Sequence, residues 1–234
     1  MLEELKERVC QANRDLVRHG LVLFTWGNVS GLDPERRLVV IKPSGVSYDR
    51  LTPADMVVLE LDGRKVEGAL NPSTDTPTHL ELYRSFEGLG GVAHTHSSHA
   101  TAWCQAGMAL PCFGTTHADY FYGPVPVTRY LTHEEIAADY ELNTGRVIVE
   151  CFEGLDPRSM PAVMVASHAP FTWGESPEKA VENMAVLEES ARVALFTLAL
   201  NASAEAIPRP LLDKHFLRKH GPGSYYGQKS DRNA

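Results

Sequence analysis

The chain has 234 residues, 43% of them hydrophobic, and 22 Lys and Arg set against 30 Asp and Glu leave a formal charge of −8. A length of this order buries about 70% of its unfolded surface and needs no disulfide or metal staple to fold, while a net acidic surface argues against duplex nucleic acid as a partner. No apolar run approaches the roughly 20 residues that span a bilayer; with a charged start, MLEELKERV, and four cysteines (Cys10, Cys104, Cys112, Cys151) outside any CxxC, a soluble, reduced, cytoplasmic protein is expected.

Leu2, Leu5, Val9, Ala12 and Leu16 alternate three- and four-residue steps before Gly20, which predicts a docked amphipathic helix. Three β-like runs follow: LVLFTW (21–26), RLVVIK (37–42) and MVVLELDGRKVEG (56–68), the last folded back at Asp62-Gly63. Thr76 as N-cap and Pro77 at the first helical position open a helix to about Phe86. GGVAHTHS (90–97) reads as a strand and SHATAWCQAG (98–107) as a helix stopped by Gly107. Thr132 and Glu135 form a capping box for a helix ending near 143–145, before two strands, RVIVECF (146–152) and PAVMVASH (161–168). Ser176-Pro177 starts the longest helix, with a buried stripe of Ala180, Met184, Leu187, Ala191, Ala194 and Leu198. A last helix over about 211–220 precedes a tail whose residues 229–234 are expected to fray. Interleaved strands and helices with one clear hairpin predict one α/β domain over 1–234, with helices on both faces of a mixed sheet.

His94 and His96 point to one face of their strand, about 7 Å apart along the backbone. Neutral imidazoles so placed can converge on a metal; a pair of surface histidines on an edge strand is the competing reading. His168, at the end of another apolar strand, adds a third candidate, and Asp75, just before a helix start, is the carboxylate of choice, with helix capping as its alternative. His19, His79, His99 and His133 are expected to have surface or packing roles. Three polar loops could hold a phosphate: Lys42, Ser44 and Gly45; Ser73 and Thr74 at a helix mouth; and Gly27 with Asn28. None is a P-loop or a dinucleotide fingerprint. His117, Asp119 and Tyr120 share a loop rich in acid–base groups, and Tyr225 and Tyr226 in the tail are expected to pack against something, such as a neighbouring subunit. Residues 211–234 carry +3 of charge, a place where an anion would be welcome.

The segments FTWGNVS, VIKPSGV, PSTDTPTH, GGVAHTHSSHAT, GTTHADYFYG, SHAPFTWG, LLDKHFLRKHG and YYGQ occur in that order and cover almost the whole chain. Taken together they resemble the class II aldolase family, and within it the branch that inverts C4 of a ketopentose 5-phosphate. That resemblance implies a single-domain three-layer αβα sandwich around a mixed, mostly antiparallel sheet. It implies one zinc ion per subunit on Asp75, His94, His96 and His168, a set that also tolerates manganese or cobalt. Gly27, Asn28, Lys42, Ser44, Gly45, Ser73 and Thr74 would bind the sugar phosphate, with His215 near it. Asp119 and Tyr226 would be the acid–base pair, reaching the metal of an adjacent subunit in a homotetramer. Thr74 is a departure, standing where a second serine is common.

The chemistry explains the residue types. C4 of a ketopentose phosphate is not acidic, so a retro-aldol cut of C3–C4 into a dihydroxyacetone enediolate and glycolaldehyde phosphate, followed by recombination on the other aldehyde face, is the reasonable route. Zinc would stabilise the enediolate, and two groups would move the C4 hydroxyl proton on opposite sides. A sugar-phosphate aldolase of the fuculose-phosphate type is the nearest alternative; such relatives carry a longer Glu at the Asp75 position. A methylthioribulose-phosphate dehydratase, a metal-free adducin-like scaffold and a purely structural zinc site are weaker alternatives, the scaffold because all four candidate ligands are present here.

Overall fold

A computed structural model of the chain describes residues 2–35 and 37–225. Helix α1 (Glu3–Arg18) is followed by strands β1 (Gly27–Asp33) and β2 (Leu38–Ile41), a 3-10 turn at Pro53–Asp55, and strands β3 (Val57–Glu60) and β4 (Lys65–Glu67). Helix α2 (Thr76–Ser85) leads to strand β5 (Gly91–Thr95) and then to helices α3 (Ser98–Ala106), α4 (Thr115–Ala118), α5 (His133–Ala137) and α6 (Tyr140–Cys151). Strands β6 (Ala162–Met164) and β7 (Pro170–Gly174) precede helices α7 (Pro177–Leu200) and α8 (Arg209–His220).

The strands form one sheet in the order β4-β3-β2-β1-β5-β7-β6. Every ladder is antiparallel, in keeping with the expected mostly antiparallel sheet, and among the described residues no parallel ladder is added to it. The reason is connectivity: four of the six ladders join consecutive strands, and a chain that returns beside its predecessor pairs antiparallel. The one parallel pairing among the described residues is an isolated bridge between Val127 and Met164.

Side chains alternate across this sheet and set its two helical layers. Gly31 and Gly91 face α1 and α7, and a Cβ at Gly31 would lie 2.8–2.9 Å from Val9, Leu5 and Pro177. At Gly91 a Cβ would meet the Ser176–Pro177 backbone at 2.4 Å, so glycine is what lets the start of α7 touch the sheet. On the opposite face Ser30 Oγ pairs with His79 Nδ1 at 2.7 Å and Tyr83 OH at 2.9 Å, both on α2. Phe86, Phe152 and Trp173 make an aromatic cluster on that face, with centroids 5.1–5.3 Å apart, and lock α2 and α6 to β7.

Several expected boundaries shift. Residues 21–26 form a loop, not a strand: Phe24 is left-handed (φ 50°), and Leu23, Phe24 and Trp26 are exposed. Residues 146–151 belong to α6, with Phe152 as its C-cap, and do not form a strand. Asn143, Thr144, Gly145, Val147 and Ile148 are its buried residues, and this helical spacing prevails over the β-branched run. The capping box at Thr132 closes only α5, which ends at Ala137. The strand expected over 161–168 stops at Met164; the chain turns at 165–169 and continues as β7. Asp75 rather than Thr76 occupies the N-cap of α2, and its side chain makes no capping hydrogen bond. The α7 stripe is buried as expected through Ala194, with Leu198 only partly covered.

Candidate metal centre and anion pocket

Strand register brings two distant motifs side by side. In the β1–β5 ladder Asn28 lies opposite His94, and Gly27 opposite Thr95. In the β5–β7 ladder His94 lies opposite Phe171, on whose ring its imidazole stacks at 4.1 Å and 16°. His94 Nδ1 sits 3.0 Å from the Pro170 carbonyl oxygen, which can only accept. The proton is therefore on Nδ1, and Nε2 is left as a lone-pair donor aimed elsewhere, the usual arrangement behind a metal-bound histidine.

His96 follows the end of β5, and His168 sits in the tight β6–β7 turn, where His168 N–H donates to the Val165 carbonyl (3.0 Å) and Ser167 is left-handed (φ 58°). That turn swings the third ring over the first two. Ring centroids are 5.0 Å apart for His94–His96, 4.9 Å for His94–His168 and 5.2 Å for His96–His168. One potential ligand nitrogen from each lies within 4.8 Å of the others. Burial, and then the neighbouring imidazoles, push His168 down to about 3 and lower His96 as well. Both rings are thus neutral at physiological pH, the state a metal requires of them.

Asp75 lies outside this three-imidazole group but lines a cavity together with His94 and His96. Its Oδ2 accepts from Asn28 Nδ2 at 2.6 Å, so the carboxylate faces the site and does not serve the helix. Burial pushes the Asp75 carboxyl up, but the nearby imidazoles and the Asn28 amide outweigh that and hold it below its usual range. The donor set therefore fits a divalent cation: three converging imidazoles, two of them held neutral by burial, and an ionised carboxylate on the adjoining wall.

The cavity has a volume of about 510 Å³. Its walls include every residue expected to bind the phosphate from the same chain: Gly27, Asn28, Lys42, Ser44, Gly45, Ser73 and Thr74. Lys42 is almost wholly buried, and burial lowers it to about 8. Its Nζ donates to the Pro43 carbonyl (3.2 Å) and lies 5.0 Å from the Tyr48 ring centroid. A buried ammonium beside two hydroxyl-bearing loops is suited to a multiply charged anion.

Asp119 and His215 are not among the residues lining this cavity. They meet instead at α4 and α8, where His215 Nδ1 lies 3.1 Å from Asp119 Oδ1 and Arg218 holds both carboxylate oxygens. The basic stretch expected to welcome an external anion thus places Arg218, His215 and Lys219 around the chain's own carboxylate. Tyr226 lies outside the described residues. His79 packs as expected but is fully buried under the site, its Nε2 without a partner. His99 joins Glu188, which accepts from the backbone N–H of His99 and Ala100 and so caps α3 just beyond His96. Tyr48, whose hydroxyl donates to the Gly27 carbonyl at 2.7 Å, is a supporting residue that no motif singled out. All four cysteines are unpaired.

The fold and the site define a class. The chain matches the Class II Aldolase and Adducin N-terminal domain model over residues 7–195, and it belongs to that family. Among particular relatives, proteins named L-ribulose-5-phosphate 4-epimerase UlaF from Salmonella paratyphi B and Salmonella typhi are each 55% identical over 228 residues, 97% of this chain and 100% of theirs. An L-fuculose 1-phosphate aldolase structure shares the fold with a TM-score of 0.77 at 23% identity, covering 91% of this chain and 94% of that one. The L-fuculose-1-phosphate aldolase of Thermus thermophilus aligns with a TM-score of 0.65 at 26% identity, over 87% of this chain and 98% of its own.

Proposed function

We propose that this chain is a divalent-metal-dependent isomerase, an L-ribulose-5-phosphate 4-epimerase that interconverts L-ribulose 5-phosphate and D-xylulose 5-phosphate in the cytoplasm. Three imidazoles converging beside a cavity that a buried lysine and two hydroxyl-bearing loops also line carry the reading. The relatives at 55% identity supply the choice of substrate. In this reading the whole of 1–234 is one class II aldolase-like domain.

His94, His96 and His168, with Asp75, would hold the ion, zinc being the expected one. When bound, a divalent cation supplies Lewis-acid stabilisation of negative charge developing on the ketose oxygens. Asn28, Lys42, Ser44, Gly45, Ser73 and Thr74 hold the 5-phosphate, and Gly27 allows the close approach of backbone to ligand. With that grip in place, one base takes the C4 hydroxyl proton, the C4–O electrons form the aldehyde, and the C3–C4 pair passes to the C2–C3 enediolate. The aldehyde fragment turns about its phosphate-bearing carbon, the bond re-forms on the other face, and a second group returns a proton to the C4 oxygen. Asp119 and Tyr226 are assigned to these proton transfers, with His215 beside the substrate. Because Asp119 and His215 stand apart from the cavity of their own chain, the reading requires a second copy to deliver them, as in a homotetramer with shared sites.

The test is direct. Chelator-stripped protein reloaded with zinc, manganese or cobalt and given L-ribulose 5-phosphate is expected to yield D-xylulose 5-phosphate without free aldehyde. Stoichiometric release of glycolaldehyde phosphate would point instead to an aldolase of the fuculose-phosphate type, the reading that the shared fold also permits.

A further inference from the structure

Asp119 is the C-cap of α4, a helix of only four residues that can lend its side chain little rigidity. The order comes from α8. His215, Arg218 and Lys219 are spaced i, i+3 and i+4 and so share one helix face, and all three meet the same carboxylate. Their contacts are unequal. His215 Nδ1 touches only Oδ1, at 3.1 Å, and Lys219 Nζ stands 3.8 Å from Oδ2 while lying 4.2 Å from the Tyr120 ring centroid. Arg218 alone spans both oxygens, Nε to Oδ1 at 3.1 Å and Nη2 to Oδ2 at 2.7 Å. A planar fork matched to a planar carboxylate fixes its rotation as well as its place, which neither an ammonium nor a single imidazole nitrogen can do.

We propose that Arg218 is a positioning residue for the reaction: its guanidinium holds the plane of the Asp119 carboxylate at the angle from which a substrate hydroxyl is met. The proposal rests on the reading of Asp119 as a proton-transfer group. Electrostatics point the same way. Burial pushes the Asp119 carboxyl up, but Arg218, then His215 and Lys219, outweigh it and keep the group ionised and able to accept a proton. Also facing this residue is His220, whose Nε2 lies 2.9 Å from the Asp119 carbonyl oxygen.

A purely structural role, pinning α8 to α4, is separable because α8 has other anchors. Arg209 donates to Tyr122 OH (2.6 Å), which itself donates to Asp213 (2.6 Å), and Leu212 packs with Cys112 and Ala118, none of them through Asp119. The experiment is steady-state kinetics on full-length, metal-loaded enzyme carrying Arg218→Gln, Arg218→Lys, Arg209→Gln, Asp119→Asn, or Arg218→Gln with Asp119→Asn. A misplaced proton-transfer group is expected to lower kcat for Arg218→Gln about 100-fold with little change in KM. Arg218→Lys should recover only part of this, and Arg209→Gln should leave kcat nearly intact. Adding Arg218→Gln to Asp119→Asn should cost nothing further, since both act through one carboxylate. Equal losses for Arg209→Gln and Arg218→Gln, or additive losses in the double variant, would overturn the proposal. Arg218→Gln without effect beside a crippled Asp119→Asn would overturn it alone; an active Asp119→Asn would remove the reading of Asp119 as well.

Discussion

Replacing Lys42 with methionine should strengthen the fold and weaken the grip on phosphate. The ammonium is 2% exposed, and among the described residues its partners are a carbonyl oxygen and an aromatic ring, with no carboxylate. Its fall from 10.5 to about 8 on burial corresponds to roughly 3 kcal/mol spent on holding that charge at neutral pH. Since the folded chain binds this proton less tightly than the unfolded one, the cost is complete below pH 8 and vanishes above about 10.5. Methionine fills a similar volume without the charge, so at pH 7 Lys42→Met should gain about 1–3 kcal/mol, or about 3–10 °C in Tm for a chain of this length. The gain should shrink as the pH is raised toward 10. At the same time KM for the sugar phosphate should rise about 10- to 100-fold, the worth of a charge-assisted contact. Thermal melts of ligand-free protein at pH 7 and pH 10, with initial-rate kinetics, measure both. A variant that melts lower at pH 7, or keeps its KM, refutes the reasoning that Lys42 is held charged for a ligand.

Removing a metal ligand should be visible without any turnover. His168→Ala is expected to purify with little divalent metal and to bind added zinc more than about 100-fold more weakly, beyond the usual cost of losing a supporting partner; Asp75→Asn, outside the three-imidazole group, should lose less, and metal content by plasma mass spectrometry compares them. His117 is buried and neutral, driven down to about 4 by burial against a weaker pull from its bond to the Gly123 carbonyl. Acidification protonates it first in the unfolded chain, so stability should fall by roughly 3 kcal/mol as pH drops from about 6.5 to 4. His117→Gln should flatten that slope in urea titrations followed at several pH values.

How much of this was legible in the sequence depends on the reach of each signal. His94 and His96 share a face for a reason internal to five residues, and the structure places them side by side. The Gly27–Asn28, Lys42–Gly45 and Ser73–Thr74 stretches could be read separately as anion-friendly, but it takes the register of β1 against β5 to set Asn28 beside His94, and the folded chain to bring the other two stretches into the same cavity. His168 stands out locally as a third candidate at the end of an apolar run, but its approach to the other two rings depends on a left-handed turn at Ser167 that leads into β7, which no local pattern announces. Residues 146–152 misled because Val and Ile favour strands locally, while their partners on α2 reward a helical stripe. Arg218 was opaque for a different reason: its partner lies 99 positions earlier, and a basic stretch looks the same whether it awaits a ligand or already holds a carboxylate.

Central to the proposed activity is a carbon–carbon bond opened and closed between imidazoles that hold a cation and a loop set that holds a phosphate. Running the conversion of L-ribulose 5-phosphate in D2O and reading C4 of the D-xylulose 5-phosphate by NMR tests this most directly. Cleavage and recombination never break the C4–H bond, so the product should carry protium at C4 after many turnovers. Deuterium at C4, accumulating in step with product, would mean that the carbon itself is deprotonated and would contradict the account.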